Sequence, residues 1–230
     1  MLTNAEIKRL RSLREKKYRD EYGQFLVEGE KMVQEALSSG FNVLQVIREE
    51  PDVMSRISSL STPPPVIAVV EKPAPRPLTL ERGLYLGLDA VRDPGNMGTI
   101  LRLADWFGIS TVFASADSVE FFNPKVVQSS MGSIFRVNAV YCDMPELCHR
   151  FRSMDMPVYG TFMDGADIYT EQLAAEGIIV MGSESFGIGP EVAAQVSTRL
   201  HIPTFAKGAG PESLNVATAT AIVLSEFRRR

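Results

Sequence analysis

This chain has very little cysteine: Cys142 and Cys148 are the only two thiols in 230 residues. Two thiols at that spacing exclude a disulfide framework and a zinc knuckle, and Cys148-His149 is no ligand set by itself. A reducing, cytoplasmic setting is the compartment this implies. Histidine is equally scarce. His149 and His201 fall in no patterned cluster, so both are read as structural and no metal is expected. Trp106 is the only tryptophan. No apolar run approaches the roughly 20 residues that span a bilayer, and Met1-Leu2-Thr3-Asn4 lacks an apolar signal core. A soluble chain with no membrane partner is expected. Internal repeats and low-complexity tracts are missing too, which excludes solenoids and arrays.

What is present is ordinary for a globular protein, with 45% hydrophobic and 23% charged residues. A net charge of −4 argues against coating nucleic acid with the whole surface, yet leaves room for a local basic patch. The charge is uneven. Lys8, Arg9, Arg11, Arg14, Lys16, Lys17 and Arg19 crowd the first segment, and Arg228, Arg229 and Arg230 close the chain. Such runs fit either a solvated helix face or a phosphate-facing surface.

Asn4 is positioned to cap a helix reaching about Arg19, with Ile7, Leu10 and Leu13 as its apolar stripe. The apolar Phe25-Leu26-Val27 follows, then a helix from about Lys31 to Ser39 stopped by Gly40, and strands at 42–47 and 66–70. Lys72-Pro73-Ala74-Pro75-Arg76-Pro77 continues neither a helix nor a central strand, so the boundary between two domains, 1–76 and 77–230, is placed there. Beyond it strands and helices alternate. Strands are expected at 84–88, 111–114, 134–140, 157–161, 177–182 and 199–202. Helices are expected at 96–107, 123–131, 145–154, from Pro190, and at 213–227. This alternation predicts an α/β fold with a mostly parallel sheet covered on both faces.

Three turns in that pattern carry chemistry. Asp93-Pro94-Gly95-Asn96 leads into a helix that holds Arg102; a plain β-turn capped by Asn96, with Arg102 pairing Asp105, is the simplest account of it. Ile178-Ile179-Val180-Met181 runs into Gly182-Ser183-Glu184-Ser185-Phe186-Gly187, a glycine-rich turn that lets backbone approach a flat ligand. It is neither a P-loop nor a dinucleotide fingerprint. Ser213-Leu214-Asn215-Val216 opens the last helix, where Ser213 and Asn215 suit capping. Ligands bind outside the carboxyl ends of the strands of open α/β sheets, so the three turns can share one pocket.

Taken in order, Asn96-x-Gly98-x-x-x-Arg102, Gly182-x-Glu184-x-x-Gly187 and Ser213-Leu214-Asn215-Val216 resemble the three signature motifs of the SpoU (TrmH-like) RNA 2′-O-ribose methyltransferases of the SPOUT class. The resemblance covers most of the chain. It implies a trefoil-knotted α/β catalytic domain at 77–230, and the small alanines and threonines after Val216 suit the close packing of a threaded chain. It also implies S-adenosyl-L-methionine as cofactor, RNA as partner and a homodimer. Asn96, Arg102, Glu184 and Asn215 take the catalytic positions. Thr161, Gly182, Glu184, Ile202, Ser213 and Leu214 take the cofactor positions. Phe25-Leu26-Val27-Glu28-Gly29 is similar to the L30e-like substrate-binding domain that precedes many members, here abbreviated around 54–62. That module favours ribosomal over transfer RNA.

Ser185 stands where the family often has glycine, and Gln128 where it often has a basic residue. The interval from Ile202 to Glu212 is longer than in many relatives. Free guanidinium stays protonated, so Arg102 is read as a phosphate clamp that orients the hydroxyl, and the proton acceptor stays open. Two other classes fit the sequence less well. A nucleotide-dependent oxidoreductase needs a glycine fingerprint that 84–102 lacks. A noncatalytic RNA-binding knot would not need Asn96, Arg102, Glu184 and Asn215 together.

Overall fold

A computed structural model describes residues 2–74, 79–206 and 213–229. Two sheets organise them. The first lies within residues 24–71, where β1 (Gln24–Glu28), β2 (Val43–Ile47) and β3 (Ile67–Glu71) pair antiparallel in the order β1-β3-β2. The second contains β4 (Leu84–Leu88), β5 (Thr111–Ala114), β6 (Asn138–Tyr141), β7 (Val158–Asp167), β8 (Gly177–Met181) and β9 (Thr198–His201). Its order is β6-β5-β4-β8-β7-β9, and every neighbouring pair is parallel. Sheets of this kind need cover on both faces, and β8 is buried at all five positions. The expected α/β class with a parallel sheet is what forms.

Helices α1 (Asn4–Ser12), α2 (Lys16–Tyr22), α3 (Glu30–Leu37) and α4 (Pro51–Ile57) belong to the first part of the chain. Helices α5 (Pro94–Trp106), α6 (Pro124–Ser129), α7 (Met144–Ser153), α8 (Pro190–Ala193) and α9 (Val216–Arg229) belong to the second. The expected single helix from Asn4 to Arg19 is two. Leu13 ends α1 with its side chain fully buried, and its carbonyl accepts a 2.9 Å bond from the Arg19 guanidinium. The cap is Thr3 rather than Asn4, in a reciprocal capping box with Glu6. Gly40 does not terminate α3; Ser38 closes it in a right-handed conformation.

A strand at 134–140 is also corrected. Ser133–Phe135 is a 3₁₀ turn, because Gly132, in the left-handed region at φ 94°, breaks the extended run; the strand begins only at Asn138. Helix α4 went unread in the sequence, and the proline segment at 75–78 lies outside the described residues.

The two parts share one core. Phe25, Val27, Met32 and Ala36 pack in a single apolar cluster with Phe121, Val126 and Ile134, and the Phe25 and Phe122 rings lie 4.6 Å apart. A buried ion pair crosses the same seam between Arg19, 2% exposed, and Glu120, with Lys72 Nζ 3.4 Å from that carboxylate. Arg136 pairs across it with Glu35.

Candidate active site at the strand ends

Helix α5 begins at Pro94, preset for a first helical turn, and Asp93 is its cap: Asp93 Oδ1 accepts from the Asn96 backbone N–H at 2.8 Å. Asn96 is therefore not the cap that the turn suggested, and its side-chain amide is left for other work. Gly98, next on the buried face, lets α6 cross α5 at very short range. A Cβ there would stand 2.0 Å from Ser129 Oγ and 2.7 Å from the Val126 carbonyl.

The second turn closes on itself. Ser183 and Gly187 exchange backbone hydrogen bonds of 3.0 and 2.9 Å, and the loop folds so tightly onto Gly182 that a Cβ would lie 2.2 Å from the Gly187 carbonyl carbon. Glu184 is held out at its exposed tip, and the far end is tied to the end of β4 by Gly189 N–H donating to Asp89 Oδ2 at 2.7 Å. The third turn starts α9 at Val216. Asn215 Oδ1 accepts from the backbone N–H groups of Ala217 and Thr218 at 3.0 and 3.2 Å, so Asn215 caps the helix and Ser213 does not.

These turns meet. Asn96 Nδ2 donates to Glu184 Oε1 at 2.5 Å, across 88 residues of sequence, and Asn215 Nδ2 donates to Asn96 Oδ1 at 2.9 Å, across 119. Both halves of the Asn96 amide are thereby used, which fixes its plane. The cofactor candidates lie on neighbouring strand ends and on the turn before Asn215. Thr161 lies in β7 with Oγ1 3.4 Å from the Val180 carbonyl, Gly182 follows β8, and half-buried Ile202 follows β9. The three strands are adjacent and parallel in the order β8-β7-β9, so these positions lie at one edge. Exposed Ser213 and Leu214 precede Asn215, and the segment 207–212 lies outside the described residues.

Arg102 is not part of that cluster. It lies six residues, or about 9 Å, further along α5. Its expected partner Asp105 is instead engaged by Arg136 Nε and Ser133 Oγ at 2.8 and 2.7 Å. Among the described residues Arg102 makes no hydrogen bond or ion pair. It borders an open cavity of about 390 Å³ with Lys31, Asp105, Trp106, Met131, Ser133 and Arg136. Trp106, four residues beyond Arg102, is 82% exposed. Phe186 and Phe205, at 84% and 85%, stand equally bare in the second turn and after β9.

Sequence reasoning did not find this second cluster, although a signal for it existed. Met97, Ile100, Leu101 and Ala104 form the buried stripe of α5, and Arg102 and Trp106 share the opposite face at i and i+4. His149 is exposed and His201 half-buried, and neither touches the Asn96 cluster. Among the described residues no three His, Cys, Asp or Glu side chains converge on a possible metal position, and no helix is long and apolar enough to cross a membrane.

Comparison with known proteins identifies relatives over nearly the whole chain. Residues 4–72 match the MRM3-like substrate binding domain. Over 98% of its length the chain is 29% identical to the 23S rRNA (guanosine(2553)-2′-O)-methyltransferase RlmP of Bacillus subtilis, covering 96% of that protein. A putative RNA methyltransferase of the TrmH family from Porphyromonas gingivalis superposes with a TM-score of 0.90 at 43% identity, covering 100% of this chain and 99% of that one. The AdoMet-bound rRNA methyltransferase from Sinorhizobium meliloti superposes at 0.88 with 30% identity, covering 100% and 96%. Residues 83–225, well over half of the chain, match the SpoU rRNA methylase family, and the protein belongs to it.

Proposed function

We propose that this protein is an S-adenosyl-L-methionine-dependent methyltransferase acting on a ribose 2′-hydroxyl of structured ribosomal RNA. The observation that carries the reading is the hydrogen-bonded chain Glu184–Asn96–Asn215, which joins three distant turns at the carboxyl edge of a parallel sheet. The cofactor suits the residues there: the walls are apolar at Ile202 and Leu214, backbone is accessible at Gly182, and Thr161 offers a hydroxyl.

When bound, the cofactor would supply an electrophilic methyl for the ribose 2′-oxygen. Thr161, Gly182, Ile202, Ser213 and Leu214 hold the donor, and Glu184 and Asn215 orient the Asn96 amide against the reacting groups. A ribose hydroxyl is barely acidic at neutral pH, so fixed geometry supplies much of the rate. Arg102 has five donors and no acceptor. It grips the neighbouring phosphate and does not take the proton.

Residues 1–76 are assigned to holding RNA and 77–230 to catalysis. Ribosomal RNA is favoured over transfer RNA because the B. subtilis relative is named for 23S rRNA and the match to it extends over nearly the whole chain. The exposed Phe186, Phe205 and Leu214 support a second copy packing beside the site. The order of the sheet, with β9 at its edge and α9 returning against α5, supports a trefoil crossing. The two lone thiols fit the cytoplasm.

Titration calorimetry of the whole protein with S-adenosylmethionine and with NAD tests the donor; saturable binding of NAD alone refutes the reading. Arg102→Ala is expected to keep cofactor affinity and lose methyl transfer, and equal loss of both contradicts the clamp. Mapping 2′-O-methyl marks lost from ribosomal and transfer RNA in a deletion strain decides between the two substrates.

A further inference from the structure

The cavity beside Arg102 belongs neither to the Asn96 cluster nor to the core. Its walls come from both parts of the chain: Lys31 from α3, Arg102 and Trp106 from α5, and Met131, Ser133 and Arg136 from the turn before β6. We propose that it is a subsite for one unpaired RNA nucleotide, whose base stacks on the Trp106 indole while Lys31 and Arg102 hold the flanking phosphates. The inference rests on the RNA reading above and adds to it where the strand runs beyond the reacting ribose.

Three observations carry it. Trp106 faces away from the buried stripe of α5 and is 82% exposed, so the fold gains little from the largest side chain it has. The charges around it are sorted. Arg136 is neutralised by Glu35 and Asp105, and Asp105 is in turn consumed by Arg136 and Ser133, whereas Lys31 and Arg102 have no hydrogen-bond or ion-pair partner among the described residues. The uncommitted charges are therefore both positive, which suits a polyanion. Placement agrees as well. Trp106 is ten residues from Asn96, about 15 Å along the same helix, with Arg102 between them. A strand following α5 from the Asn96 cluster meets the guanidinium first and the indole next. Aromatic platforms flanked by cations are how single strands are held without reading a duplex. A second copy of this chain suits the place less well, because a twofold contact here brings two like sets of cations face to face.

Trp106 is the only tryptophan, so fluorescence excited at the red edge, where the six tyrosines do not absorb, reports on this cavity alone. A short single-stranded oligoadenylate is expected to quench that emission saturably, and inorganic polyphosphate, which has the charge but no base, is expected to bind without quenching. Trp106→Ala is expected to weaken oligoadenylate binding by about 5- to 150-fold, the range that corresponds to ~1–3 kcal/mol of stacking on one aromatic ring. Trp106→Phe recovers most of it, and both variants keep wild-type affinity for S-adenosylmethionine, which shows that they fold. Oligoadenylate that binds the wild type and Trp106→Ala equally, without quenching, overturns the subsite. So does a Trp106→Ala protein that falls from dimer to monomer in sedimentation at unchanged RNA affinity. In both cases methylation of ribosomal RNA by the wild type leaves the broader reading standing; a wild type that neither binds nor methylates RNA sinks both.

Discussion

Replacing Gly98 by alanine tests whether the glycine of the first signature turn serves chemistry or packing. On helix propensity alone the change stabilises α5, by up to ~1 kcal/mol. The added Cβ, however, meets Ser129 Oγ at 2.0 Å, the Val126 carbonyl oxygen at 2.7 Å and Ser129 Cβ at 2.9 Å. The hydroxyl can rotate away, at the expense of its 2.6 Å bond to the Lys125 carbonyl. The other two atoms are fixed to the backbone of α6. Ordinary contact begins near 3.4 Å, so α6 must back off by several tenths of an ångström. Such overpacking costs ~1–3 kcal/mol, which exceeds the propensity gain. The expected net loss of up to ~2 kcal/mol lowers the melting temperature by up to roughly 8 °C for a chain of this size. Differential scanning calorimetry measures it. Adding Ser129→Ala should recover only part of the loss, because the Val126 carbonyl stays where it is. An unchanged or raised melting temperature refutes the packing argument. A fall in methyl transfer without any thermal shift assigns the glycine to the chemistry instead.

Two further predictions concern the seam between the sheets and the two thiols. Arg19→Ala leaves Glu120 buried with only Lys72 at 3.4 Å, so a loss of ~3–5 kcal/mol is expected in urea unfolding; the double change with Glu120→Ala should cost clearly less than the two single changes combined, and strict additivity contradicts the pairing. Burial pushes the Cys142 and Cys148 thiols up from 9.0 to about 12, so both should resist a thiol reagent at pH 8 in the folded protein and react on unfolding. Above pH 9.0 the unfolded chain releases protons that the folded one keeps, so stability falls as pH rises toward about 12. Rapid labelling of both thiols in the native state defeats that account.

The fully buried parallel strands were the most legible part of this sequence. Leu84–Leu88 and Thr111–Ala114 form at the bounds their apolar runs suggest, since a strand covered on both faces has no polar alternation to blur its ends. Legibility failed where a side chain from elsewhere decided the backbone. Nothing local says that α1 stops at Leu13, because the cause is Arg19 turning inward to a carboxylate 101 residues away.

The same distinction runs through the site. Turn chemistry exposed the three loops, but two asparagines that both suit a helix cap looked alike in sequence and are used differently. Asn215 caps α9 with its oxygen and reaches out with its nitrogen, while Asp93 takes the capping role from Asn96 and frees that amide to bridge the other two turns. Arg102 shows the limit most clearly. Its spacing from Asn96 reads as one functional unit, yet six residues of helix turn the two side chains through about 600° and separate them by about 9 Å. Groups so arranged are anchored at two separate points of the helix. They can hold two points of a single extended substrate, a reacting ribose at one end and a phosphate at the other, which is the arrangement that the clamp proposed for Arg102 requires.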